Sequence, residues 1–98
     1  MKTIQTKNAP AAVGAYAQGI VTDNLIFTSG QLPLDPATGE LEMEIKKATK
    51  RALENIKAIV EAGGSSVDKI VKCNVFLDDV NDFAAFNQVY EEFFGDHK

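Results

Sequence analysis

From Met43 to Gly63 runs the longest periodic pattern in the chain, and it constrains everything around it. Ile45, Ala48, Ala52, Ile56, Ile59 and Val60 recur at helical spacing, and Leu53 widens the stripe. Lys46, Lys47, Lys50, Arg51, Glu54, Lys57 and Glu61 fall mostly outside it. A helix with one apolar side needs a surface to cover. Gly63-Gly64 stops it, because glycine enters the left-handed conformation at little cost.

The flanking segments supply that surface. Thr3, Ile4 and Thr6 favour a short strand within Lys2 to Lys7, ended by Asn8-Ala9-Pro10. Tyr16 to Thr22 reads as a second strand, and Leu25 to Thr28 as a third. Asp23-Asn24 between them is a hairpin signal. Pro33, Asp35-Pro36 and Thr38-Gly39 mark a loop. Beyond the helix, Ile70 to Leu77 carries apolar groups on both sides, with Val71, Cys73, Val75 and Leu77 opposite Ile70 and Phe76, which predicts a central strand. A second helix follows, with Asn81 as its expected N-cap and Asp82 at the positive end of its dipole. Phe83, Phe86, Tyr90 and Phe93 form its apolar stripe, Val89 and Phe94 its edges, and Gly95 its stop. The expected order is β-β-β-α-β-α in one α+β domain. The strand–helix–strand run from Leu25 to Leu77 predicts a right-handed crossover on one sheet.

Composition narrows the function classes. A chain of 98 residues with 45% hydrophobic and 24% charged residues supports one thin core, and association is a common way for such a chain to bury more. The net charge of -4 argues against a nucleic-acid surface. The cluster Lys46, Lys47, Lys50 and Arg51 reads as the wet face of the helix. Cys73 is the single cysteine, so no internal disulfide forms, and a reducing, cytoplasmic setting is the expectation. Met1 to Gln5 lacks the apolar stretch of a signal peptide, and no run approaches membrane-spanning length. No cluster has metal-ligand spacing, and the glycines at 14, 19, 30 and 39 make no phosphate loop.

The most informative run for function is Leu25-Ile26-Phe27-Thr28-Ser29-Gly30-Gln31-Leu32-Pro33. A β-prone segment ends in Ser29-Gly30, which exposes a hydroxyl and bare backbone N–H groups to a small anionic ligand. Read as structure alone, the same step is a strand end with a flexible turn. Cys73 reads as a small hydrophobe in a strand and His97 as a group near the chain end. Glu40, Glu42 and Glu44 read as a solvated charge run.

Set in order, the residues resemble a known family. The segments Asn8-Ala9-Pro10-Ala11-Ala12, Gly14 to Gly19, Phe27-Thr28-Ser29-Gly30-Gln31-Leu32-Pro33, Asp35 to Glu40, Leu53 to Gly64, Val75-Phe76-Leu77, Asn81-Asp82-Phe83, Asn87 to Tyr90 and Phe93-Phe94 are similar to the front part of the RidA/YjgF-like reactive intermediate deaminases. No one segment is specific, but the ordered set is. The resemblance implies a chorismate-mutase-like mixed sheet with two helices packed on one face. It also implies a homotrimer with intersubunit clefts and no metal or cofactor. The implied reaction hydrolyses 2-imino and enamine acids, such as 2-aminoacrylate or 2-iminobutanoate, to 2-keto acids and ammonia. Ser29, Gly30 and Tyr16 match the family's cleft as catalytic positions. Tyr16, Ser29, Gly30 and Asn87 match it as substrate-binding positions.

Three departures accompany the resemblance. Gly14-Ala15-Tyr16 stands where the family has Gly-Pro-Tyr, which frees the backbone before the tyrosine. Leu41-Glu42-Met43-Glu44 is about one residue shorter than the family loop. The family continues past the position of Lys98 through a Pro-x-Arg stretch, two strands and a late glutamate. Arg51 is the one arginine here and its place on a helix surface makes it no substitute. The chain is therefore expected to be C-terminally incomplete relative to the family. That leaves a non-catalytic, small-carboxylate-binding trimer as the alternative to a deaminase. A nuclease-like activity fits the net charge of -4 least.

Overall fold

The computed structural model describes residues 1–97. Three strands, β1 (Lys2–Ile4), β2 (Gly19–Thr22) and β3 (Leu25–Thr28), form an antiparallel sheet in sequence order. Helix α1 (Ile45–Ala62) and helix α2 (Phe83–Phe94) complete an α+β fold. Short 3-10 turns sit at Val67–Lys69 and Val80–Asp82.

The β2–β3 hairpin turns on Asp23-Asn24, with Thr22 opposite Leu25. Asp23 takes the left-handed φ of 49° that a two-residue hairpin turn demands, which aspartate tolerates better than most residues. Registers of Ile4 with Gly19, Gly19 with Thr28 and Val21 with Ile26 place these residues on one face. That face meets α1. Ile4, Ala9 and Ile59 form the buried cluster, with Val21, Ile26 and Ala58 packed against it. The opposite face carries Leu25 and Phe27, both more than half exposed.

Gly19 allows the close approach of helix and sheet. A Cβ there would stand 2.8 Å from Ile59 Cγ2 and 3.1 Å from the carbonyl oxygen of Phe27. The helix begins at Glu44, whose carboxylate accepts from the backbone N–H groups of Lys46 and Lys47 at 3.2 and 2.8 Å. Those two bonds, the one from Lys47 first, hold the Glu44 carboxyl below its ordinary range. At the other end Gly63 caps the helix and Gly64 adopts a φ of 92°.

Helix α2 packs on α1 and carries a ladder of aromatic rings along its own length. Ring centroids of Phe86 and Tyr90 are 5.2 Å apart, and those of Tyr90 and Phe94 are 4.7 Å apart. Phe93 meets Phe94 edge-on at 5.1 Å. Such tilted pairs are favoured by the ring quadrupole. Burial, then the neighbouring Cys73 charge and a hydrogen bond to it, push the Tyr90 hydroxyl above its ordinary pKa.

Three expectations are corrected. Ile70 to Leu77 forms no ladder among the described residues, and Val71 and Phe76 are 90% and 93% exposed, so it is not a central strand. Its N–H and C=O groups have no neighbouring strand to pair with, so apolar content on both sides does not produce a sheet position. The sheet is accordingly antiparallel throughout, not mixed. Asn81 does not cap α2. Asp79 accepts from the Asn81 N–H at 2.9 Å and opens a 3-10 turn that runs into the helix, because an aspartate two residues before the orphan N–H reaches it first.

Replacing Gly19 by alanine is expected to cost about 1–3 kcal/mol, because one of the crowded neighbours is backbone and cannot move aside. Gly63→Ala should cost less, since the atoms it would meet are the mobile ends of Ile4 and Ile26. Urea unfolding of the two variants checks the order; a larger loss for Gly63→Ala would contradict this packing.

Candidate functional site

Ser29 follows β3 directly, and its position is fixed by the residue that precedes β2. The Gln18 carbonyl oxygen accepts from the Ser29 N–H at 2.9 Å and from the Ser29 hydroxyl at 3.1 Å. Gln31 Nε2 donates to Ser29 Oγ at 3.1 Å and reaches the Ser29 carbonyl at 3.4 Å. Gly30 is exposed, with nothing within 4 Å of the place a Cβ would occupy. Its backbone is therefore open to a ligand, as the Ser-Gly step requires.

Two buried carboxamides hold the loops on either side, and neither is a site residue expected from the sequence. Gln18, 3% exposed, accepts from the Thr6 N–H at 2.7 Å. Its Nε2 donates to the carbonyls of Thr6, Ala9 and Pro10 at 3.0, 3.2 and 2.8 Å. Asn55, fully buried on α1, donates through Nδ2 to the carbonyls of Leu32 and Leu34 at 3.1 and 3.0 Å. Arg51 Nε donates to Asn55 Oδ1 at 3.2 Å, so the one arginine is engaged on the helix. The loop beyond folds back on itself: Leu34 bridges Leu41, and Asp35 Oδ1 accepts from the Ala37 N–H at 2.7 Å. No residue-type signal marked Asn55, because the carbonyls it bonds are main-chain groups distant along the chain.

Tyr16 lies in the exposed segment before Gln18. Its hydroxyl oxygen accepts from the Val13 N–H at 3.3 Å, which leaves the hydroxyl proton available. Positive φ at Gly14, 110°, turns the chain between these two residues. Asn87 sits on α2, where its Nδ2 donates to Glu91 one turn on at 3.0 Å. Among the described residues no hydrogen bond joins Tyr16, Ser29, Gly30 or Asn87 to one another. Two open depressions lie elsewhere. One, of about 570 Å³, runs along α1 beside Arg51, Lys57 and Glu61. The other, of about 440 Å³, lies between α1 and α2 beside Phe94 and His97. Both are open and bordered by charges of both signs. The Ser29–Gly30 edge offers hydrogen-bonding groups and lines neither depression.

Among the described residues no three His, Cys, Asp or Glu are grouped to hold a metal. Among the same residues no helix is long and apolar enough to cross a membrane. Cys73 is half-buried and adjoins Tyr90 in place of a strand interior. His97 lies close to the Ile70 carbonyl, with a ring nitrogen 2.6 Å from it.

A sequence profile described as Endoribonuclease L-PSP matches residues 6–98. The chain is 52% identical over 96 residues to the 2-iminobutanoate/2-iminopropanoate deaminase of Escherichia coli, covering 98% of this chain and 75% of that protein. The chain belongs to the RidA/YjgF family. Solved structures agree. The crystal structure of Escherichia coli TdcF with bound serine superposes with a TM-score of 0.95 at 47% identity, covering 99% of this chain and 76% of that one. A putative endoribonuclease from Thermotoga maritima gives 0.96 at 46% identity, covering 100% and 78%. In this family member the Ser29–Gly30 edge and the carboxamides of Gln18 and Asn55 lie in the part shared with the relatives.

Substituting Asn55 by alanine leaves the Leu32 and Leu34 carbonyls without their donor and is expected to cost about 2 kcal/mol or more. Asn55→Asp should cost still more at neutral pH, where a carboxylate faces two carbonyl oxygens. Burial raises the folded-state pKa of such an aspartate, so stability is present at low pH and lost as pH rises. Urea midpoints measured across pH check this; equal stability of the two variants at neutral pH would contradict the assigned donor role.

Proposed function

We propose that this chain hydrolyses reactive 2-imino and enamine acids to 2-keto acids and ammonia. The observation that carries the reading is the 52% identity, over 98% of this chain, to a protein named 2-iminobutanoate/2-iminopropanoate deaminase. A small-acid ligand is supported by the serine bound in the related TdcF structure. The preferred substrates are 2-iminopropanoate, with its tautomer 2-aminoacrylate, and 2-iminobutanoate. Neither metal nor cofactor enters the proposal.

The reaction needs modest machinery. Water adds to the C=N carbon, and the nitrogen then leaves as ammonia. Both protons of the water end on the nitrogen, so atoms balance without an oxidant or reductant. Holding the imino acid beside one water converts a bimolecular step into a local one. In this reading the open backbone at Gly30 and the free hydroxyl proton of Tyr16 serve as donors to the substrate carboxylate. Ser29 adjoins the reacting carbon, and Asn87 lines the cleft from α2.

In this reading a second copy closes the site around Ser29. We place one RidA-like domain in each subunit of a homotrimer, with the clefts between subunits, in a reducing cytoplasmic setting. The second reading is a trimer that binds small carboxylates without turnover.

The test generates 2-iminobutanoate from threonine with a pyridoxal-phosphate dehydratase and follows ammonia and 2-oxobutanoate release. Addition of this chain should speed release several-fold or more over the spontaneous rate. No acceleration, with 2-oxobutanoate still bound in calorimetry, would replace catalysis by the binding role. Neither turnover nor binding would overturn both.

A further inference from the structure

The hydrogen bonds around Ser29 restrict what its hydroxyl can do. A serine hydroxyl has one proton to donate and two lone pairs to accept with. The Gln18 carbonyl, 3.1 Å from Ser29 Oγ, can only accept, so the serine proton is committed to it. Gln31 supplies a donor to the same oxygen at 3.1 Å. The orientation of the Gln31 carboxamide is set by its second neighbour. The Ser29 carbonyl stands 3.4 Å from Nε2, and a carbonyl facing the amide oxygen would be repulsive. One lone pair on Ser29 Oγ remains, and no proton.

A carboxylate is an acceptor only. Ser29 in this network therefore has nothing to offer a substrate carboxylate. A water molecule has protons to donate, so it matches the remaining lone pair. We infer that Gln31 is a positioning residue that, with the Gln18 carbonyl, turns the Ser29 hydroxyl into an acceptor for the attacking water. Ser29 holds that water by one O–H and takes no proton from it. The water oxygen bonds to the imine carbon as the C=N pair moves onto nitrogen, which takes one water proton; the second follows to nitrogen as the C–N bond breaks and ammonia leaves. The carboxylate is then held by other groups, such as the Gly30 backbone. This rests on the deaminase reading, but the state of the hydroxyl can be measured apart from it.

The experiment compares the wild-type chain with Ser29→Ala, Gln31→Met and Gln31→Glu. Methionine keeps length without a donor, and glutamate replaces the donor by an acceptor that competes for the serine proton. Each variant should lower kcat by about tenfold or more, equivalent to one oriented hydrogen bond in the transition state. KM and the dissociation constant for 2-oxobutanoate should stay within about twofold, since neither depends on the water. A merely structural role would not separate kcat from KM in this way. Weakened 2-oxobutanoate binding in Ser29→Ala with kcat retained would overturn the inference, because Ser29 would then be a carboxylate donor. Unchanged kcat in both Gln31 variants would overturn it as well. An NMR arm reads the network without turnover: the Gln31 carboxamide N–H resonances should shift in Ser29→Ala. Their failure to shift rejects the assigned orientation. If the wild-type chain shows neither turnover nor binding, the deaminase reading fails, and with it the role given to the water. The NMR arm then still decides the hydroxyl's orientation.

Discussion

Two buried carboxamides organise the edge of this molecule that carries Ser29 and Gly30. Gln18 ties the N-terminal loop to the start of β2 through four hydrogen bonds, and its own carbonyl holds both the N–H and the hydroxyl of Ser29. Asn55 ties the loop after Ser29 to α1. Burying an amide is unfavourable unless its hydrogen bonds are made, and each of these makes them. The consequence is a Ser29–Gly30 edge held from both sides while Gly30 itself stays open.

The carboxamides work because the apolar packing brings their partners within reach. Helix α1 lies on the sheet through Ile59, and Gly19 removes the side chain that would block it. Asn55 sits one turn before Ile59, so the approach that buries Ile59 also carries Asn55 under the 32–34 loop. Helix α2 packs on α1 in turn, with its aromatic rings stacked along its own length. Sequence, packing and site are thus linked through one helix.

The elements that carry their own local signals were legible from the residues. The hairpin was marked by Asp23-Asn24, α1 by its stripe and Gly63-Gly64, and α2 by spaced aromatics and Gly95. Ile70 to Leu77 was not, because a strand exists only where another backbone pairs with it, and apolar alternation says nothing about that neighbour. The cap of α2 was misassigned for a related reason: Asp82 stands at its N-cap without a side-chain bond, and Asp79 caps the 3-10 turn before it, which the residues alone do not reveal. At the site, Ser29 and Gly30 stood out as a small polar step. Gln18, Gln31 and Asn55 did not, because the atoms they bond are distant or main-chain groups with no residue-type signature. Ordered similarity along the chain indicated the family where no single motif did, and the match over residues 6–98 bears that out.

The claim that the Ser29 edge is built before any ligand arrives is tested most directly by native-state amide hydrogen exchange. The Ser29 N–H, bonded to the Gln18 carbonyl at 2.9 Å, should be protected to the same degree as the β2–β3 ladder amides. The Gly30 N–H should exchange freely. A Ser29 amide that exchanges at the rate of an unstructured loop while the hairpin remains protected would contradict the account.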